Sequence, residues 1–159
     1  VKIINNHFKQ GEYLMTKQAK TNNQTKTTIK ASEWAKLGLA AGVVSVVAVL
    51  VVQFLAIALW PEIALFAPLD SYIRSVIFTL VPVAGATVLF AWLVKRTANP
   101  VKTFIIISVV VLVISFIPDY ILPVPDKTAL ASTVAAFLHV VVAVPTVWIL
   151  VAGYQRQTG

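Results

Sequence analysis

The chain contains no cysteine. That excludes disulfides, thiol nucleophiles and cysteine-ligated metals. Charge is scarce as well: 12% of the 159 residues are Asp, Glu, Lys or Arg, where a soluble domain carries about 25%. There are two histidines. No carboxylate pair stands at short spacing inside an apolar segment, and no metal-ligand spacing occurs. No Ser, His and Asp follow one another with local support, and no glycine-rich phosphate loop is present. Catalysis has little to stand on, so the expectation is a protein that is not an enzyme and needs neither cofactor nor metal.

What the chain has in excess is apolar residues, 58% of the total, with a mean hydropathy of +0.86. They come in blocks, and a helix needs roughly 20 apolar residues to cross a bilayer. Four blocks qualify, at about 37–60, 71–94, 101–122 and 128–152. Lipid leaves unpaired backbone groups unsatisfied, and four segments are too few to close a barrel. The fold class is therefore all-α: a polytopic four-transmembrane-helix bundle over residues 33–153. Pro118 is expected to end the third helix near Ile117, with Tyr120 to Leu122 completing the crossing or lying in the interface.

Charge sets the direction. The formal net charge is +7, and seven lysines precede the first span. Lys95, Arg96 and Lys102 flank the connection between spans two and three, and Arg156 follows span four. The other side holds Glu62, Asp70, Asp119 and Asp126 against Arg74 and Lys127. Lys and Arg accumulate in cytoplasmic loops, so both termini are expected inside. The same positive charge would contact anionic lipid heads. It carries no basic helix pattern or aromatic interleaving of the kind that nucleic-acid binding uses. Trp60, Tyr72, Trp92, Tyr120, Trp148 and Tyr154 fall near span ends, where aromatic rings favour the headgroup layer, with Trp34 in the same layer on the cytoplasmic side.

Residues 1–32 are rich in Lys, Asn, Gln and Thr and read as a disordered cytoplasmic tail, unable to bury enough surface to offset its ordering entropy. The first 14 residues precede the only methionine, Met15. Gln10-Gly11-Glu12 can be encoded as CAA-GGA-GAA, which contains a purine-rich ribosome-binding sequence. Two readings stand: bacterial initiation at Met15 with residues 1–14 a mis-assigned start, or a genuine, weakly ordered extension.

Lipid makes polar groups inside the spans expensive, and an intramembrane ionisable residue is by default a functional candidate. His139 lies near the middle of the fourth block. Ala131, Ala135, His139 and Ala143 recur at steps of four, a small-residue stripe that lets a neighbouring helix approach. His139 is thus expected to face the bundle, as a proton-relay group, a ligand contact, an axial haem ligand, or a neutral side chain bonded to Ser108, Ser115 or Gln53. Asp119 closes the third block and Arg74 opens the second, four residues after Asp70. Arg74 can pair with Asp70 along its own helix or with Asp119 across the bundle, as a structural ion pair or as the mouth of a substrate path. Asp119 is placed at the outer end, about half a bilayer from the midplane His139, so the two are not expected to touch. Gln53 reads as an interhelical hydrogen-bond donor. Gly38, Gly42 and Ser45 form a close-packing face, for the bundle rather than for a dimer. Pro82, Gly85 and Pro145 interrupt two helices.

Phe116-Ile-Pro-Asp-Tyr-Ile-Leu-Pro123, followed by a span holding Phe137-Leu-His-Val-Val-Val142, resembles a family of small bacterial four-helix membrane proteins of unknown function. The resemblance covers Glu33 to Gly153. It implies the bacterial inner membrane and the same four-span plan, with Pro118, Asp119 and His139 at matching polar positions, and it brings no activity with it. Two functional classes follow. One is an accessory subunit that binds a protein partner or a second copy of the chain. The other is a small proton-coupled carrier using His139 and Asp119.

Overall fold

The computed structural model describes residues 29–158, so the tail expected at 1–32 and the Met15 start lie almost wholly outside the described residues. Four helices follow in order: α1 (Ala31–Leu59), α2 (Tyr72–Arg96), α3 (Pro100–Ile121) and α4 (Ala129–Thr158). A 3₁₀ turn, Pro61–Leu65, sits between α1 and α2. The helices have 29, 25, 22 and 30 residues, and each is long and apolar enough to cross a membrane. The described residues form no strand.

The connections are short, so consecutive helices run antiparallel. α1 packs against α2 and α4, and α3 packs against α4 and α2, which makes a square bundle. One end, called proximal here, carries the start of α1, the turn between α2 and α3, and the end of α4. The distal end carries the 60–71 and 122–128 connections.

Local chemistry accounts for most of the helix boundaries. Ser71 caps α2, its hydroxyl accepting the Arg74 N–H at 3.4 Å. Thr128 caps α4 by accepting the Ala131 N–H at 3.0 Å. Pro100 opens α3 at a position where no N–H is needed. α1 begins one residue before Ser32, and no side chain caps it. Glu33 in its first turn pairs instead with Lys36 at 2.8 Å. α3 does not stop at Pro118 as expected. Pro118 lies in the last turn, and the helix closes with the Leu122 N–H on the Pro118 carbonyl at 3.1 Å. A proline there loses one backbone bond, to the carbonyl of Ile114, without forcing the chain out of helix.

The buried face of the bundle gathers its small and hydroxyl-bearing residues. α1 buries Ala41, Gly42, Ser45, Val49 and Gln53, and α2 buries Ser75, Thr79 and Thr87. α4 buries Ala131, Ser132, Ala135, Ala136 and Thr146. Large apolar side chains such as Val47, Phe54, Ile73, Ile77 and Val88 point outward. That inversion fits a lipid-facing exterior, because lipid tails are as apolar as leucine and small or hydroxyl residues let helices close up. Gly38 and Gly42 belong to this packing. A Cβ on Gly38 would stand 2.9 Å from the Thr87 hydroxyl, and one on Gly42 would stand 3.2 Å from Leu80. The Ser45 and Thr146 hydroxyls meet at 3.1 Å between α1 and α4.

Each end is plugged differently. At the proximal end, every helix contributes one aromatic ring. Phe90 is fully buried, with its ring centre 4.4 Å from Phe104, 5.4 Å from Trp34 and 5.4 Å from Tyr154. Trp34 is buried in this knot, and Tyr154 stacks on it at 6.3 Å. These two rings are therefore packing groups of the proximal end. At the distal end the 60–71 connection folds inward and buries Ile63, Phe66 and Leu69 against Ala56, Ala131 and Ala135. Gln53 pins it by donating to the Leu69 carbonyl at 2.9 Å. The partner of Gln53 is thus a loop carbonyl rather than another helix.

Candidate functional site

A cavity of about 620 Å³ lies in the distal half of the bundle. Ser75, Phe78, Thr79 and Pro82 of α2 form one wall, and Ser115, Pro118 and Asp119 of α3 face them. Ala135, Leu138, His139 and Val142 of α4 and Val49 of α1 close the back. Residues 66–69 and Val124 cover the distal side. His139, Asp119 and Arg74, the three candidates read from the sequence, all line this one space.

The expectation that Asp119 and His139 stay apart is corrected by the geometry. His139 Nε2 is 3.2 Å from Asp119 Oδ2. Counting residues did place the backbones at different depths. Ser132 Oγ donates to the Asp119 carbonyl at 2.7 Å, so Asp119 is level with Ser132. His139 is seven residues further along α4, about 10 Å at 1.5 Å per residue. The side chains close that gap. Every Cα–Cβ bond tilts toward its own helix N-terminus, and α3 and α4 are antiparallel. Asp119 therefore leans in from the distal end while His139 leans out toward it.

The pair is asymmetric. The Asp119 side chain is 8% exposed and the His139 side chain 43%, so the carboxylate is sealed and the imidazole is open to the cavity. The contact is at ion-pair distance but out of line for a hydrogen bond, which leaves Oδ2 buried without an aligned donor. Phe116 flanks the imidazole, with ring centres 6.4 Å apart. Neither serine suggested for His139 reaches it: Ser115 donates to the Leu112 carbonyl at 2.7 Å, and Ser108 lines a different groove, between α3 and α4. Gln53 is held by Leu69.

Arg74 does not bind Asp119. Its guanidinium reaches Asp70 Oδ1 at 2.6 Å and also donates to the Ala67 carbonyl. It thereby ties the 66–70 segment to α2 at the mouth of the cavity. The cavity hydroxyls are turned to their own helix, Ser75 Oγ to the Ser71 carbonyl at 3.2 Å and Thr79 Oγ1 to the Ser75 carbonyl at 2.7 Å. Pro82 and Pro118 both line the space, and each frees the carbonyl four residues before it. Among the described residues no three His, Asp or Glu side chains converge as metal ligands would. The second histidine, His7, lies outside the described residues.

Chemically, the site sets an accessible imidazole beside a buried carboxylate. Sequence reasoning singled out both residues but not their contact. It also missed the loop residues Phe66 and Leu69, which read as a plain apolar connection and become the distal wall.

Fold and site together define a multi-pass membrane protein whose four helices frame a His139–Asp119 pair in a largely apolar cavity. The family comparison agrees with that description. The chain belongs to a family of unknown function, DUF6069, whose model matches residues 29–157. No curated protein and no solved structure matches the chain.

Proposed function

We propose that this chain is a small carrier of the bacterial inner membrane, without enzymatic activity, that moves a solute in exchange for a proton held at His139 and Asp119. The observation that carries the reading is the joint presence of the open imidazole and the buried carboxylate in one cavity between helices long and apolar enough to cross a membrane. Intramembrane ionisable residues mark ion and substrate paths, and interrupted helices line such sites in transporters. Pro82 and Pro118 supply those interruptions here. Both termini face the cytoplasm in this account, because Lys30, Lys36, Lys95, Arg96, Lys102 and Arg156 cluster at the proximal end. The other reading, an accessory subunit for a protein partner or a second copy, needs a partner surface and no sealed carboxylate, so the cavity favours the carrier.

Reconstitution tests it. Protein in liposomes holding a pH gradient and a trapped pH dye is offered monocations, neutral solutes and anions in turn. One class should collapse the gradient with the wild type and fail to do so with a folded His139→Ala variant. The carrier reading is lost if no class moves the gradient, or if His139→Ala does so at the wild-type rate. An accessory subunit would instead tolerate that substitution and co-purify with its partner.

A further inference from the structure

Resting on that reading, we propose that the solute is a lipophilic organic monocation, seated with its charge against Asp119 and exchanged for one proton on His139. Three observations converge. The first is the carboxylate itself: Asp119 is 93% buried, lines the cavity, and has Oδ2 without an aligned donor.

The second is charge balance. α2 presents Arg74, which is already held by Asp70 and the Ala67 carbonyl. α3 presents Asp119 and α4 presents His139, while α1 presents Val49 and residues 66–69 add no ionisable group. Lys127 is engaged with the carbonyls of Tyr120 and Leu122 at 3.1 and 3.0 Å. With the imidazole protonated, the His139–Asp119 pair has no net charge. Once that proton leaves to water, the carboxylate is a buried, uncompensated charge, which is strongly unfavourable. One monovalent cation restores neutrality, so one proton out balances one cation in. An anion would meet the carboxylate unaided, and a dication would leave a surplus charge.

The third is the lining. Hard inorganic cations demand several oxygen ligands. Asp119 is the one carboxylate among the lining residues, and the hydroxyls of Ser75, Thr79 and Ser115 each already donate to a carbonyl of their own helix. The walls are instead Phe66, Phe78, Leu138 and Val142. Aromatic faces attract cations, and about 620 Å³ suits a drug-sized molecule.

The test is equilibrium binding of tetraphenylphosphonium to detergent-solubilised protein between acid and neutral pH, with triphenylphosphine oxide as the uncharged counterpart. Because proton and cation exclude each other, affinity should rise with pH by up to about tenfold per unit while the site is protonated and level off once it is not. Asp119→Asn should weaken binding at least about tenfold. His139→Gln should flatten the pH dependence. Equal binding of the phosphine oxide, a flat wild-type pH curve, or wild-type affinity in Asp119→Asn overturns the proposal. The first two readouts need only the wild type, so they stand even if a variant fails to fold. Binding without gradient collapse supports this site and removes the carrier reading. Gradient collapse by another solute class without phosphonium binding removes this site and keeps the carrier.

Discussion

Phe90→Ala tests whether the proximal aromatic knot holds the bundle together. Phe90 is fully buried and touches one ring from each of the other three helices. In a water-soluble core, Phe→Ala costs about 3–5 kcal/mol, part of which is transfer from water. That part fades in a bilayer, where the lipid is as apolar as the core. What remains is the lost packing of three ring pairs at about 0.5–1.5 kcal/mol each, or about 3 kcal/mol in total. Phe54→Ala is the control. Phe54 is 61% exposed on α1, lipid chains refill the space it leaves, and its cost should stay within about 0.5 kcal/mol. Unfolding in mixed micelles titrated with denaturing detergent, followed by far-UV circular dichroism, gives both values. Equal losses for the two variants would refute the claim that interior ring packing, rather than apolarity alone, stabilises this fold.

Gly38→Leu should destabilise the bundle by about 1–3 kcal/mol through overpacking against Thr87. Gly85→Ala, whose Cβ would meet nothing within 4 Å, should be neutral or stabilising by up to about 1 kcal/mol; the same unfolding titration separates them. Gln53→Leu strips the Leu69 carbonyl of its buried donor, at a cost of about 1–3 kcal/mol, and should speed hydrogen exchange in residues 63–69 before any change in the proximal half. Because the chain has no cysteine, single cysteines report topology directly. Glu62→Cys should react with an impermeant maleimide added outside intact cells and Ala98→Cys only after permeabilisation, and the reverse pattern would invert the orientation.

The sequence reveals the plan of the fold because lipid allows so few alternatives. Twenty-residue apolar blocks have to be helices, and the small residues at steps of four in α4 have to mark its packing face. The limits are equally physical. Trp34 and Tyr154 sit near helix ends, and composition alone cannot distinguish a ring turned to the headgroups from one turned to Phe90. Pro118 reads as a stop signal, yet a proline in the last turn costs a single bond to Ile114 and lets α3 carry Asp119 in helical geometry. The His139–Asp119 contact escapes residue counting because it is made by side chains leaning toward each other across about 10 Å of axial offset, a consequence of antiparallel packing. The inward fold of Phe66 and Leu69 depends on one glutamine, Gln53, whose partner is a backbone carbonyl with no sequence signature.

Solid-state NMR of the protein in bilayers shows whether His139 and Asp119 form one site. With His7 replaced so that His139 is the sole histidine, a dipolar contact should link the imidazole Nε2 to the Asp119 carboxyl carbon. It should match the 3.2 Å separation of Nε2 and Oδ2 and disappear in Asp119→Ala, which has no carboxyl carbon. If that contact is missing in a sample that does show the Gln53 amide nitrogen beside the Leu69 carbonyl, for which the separation is 2.9 Å, the pair does not exist and the account of the site is contradicted.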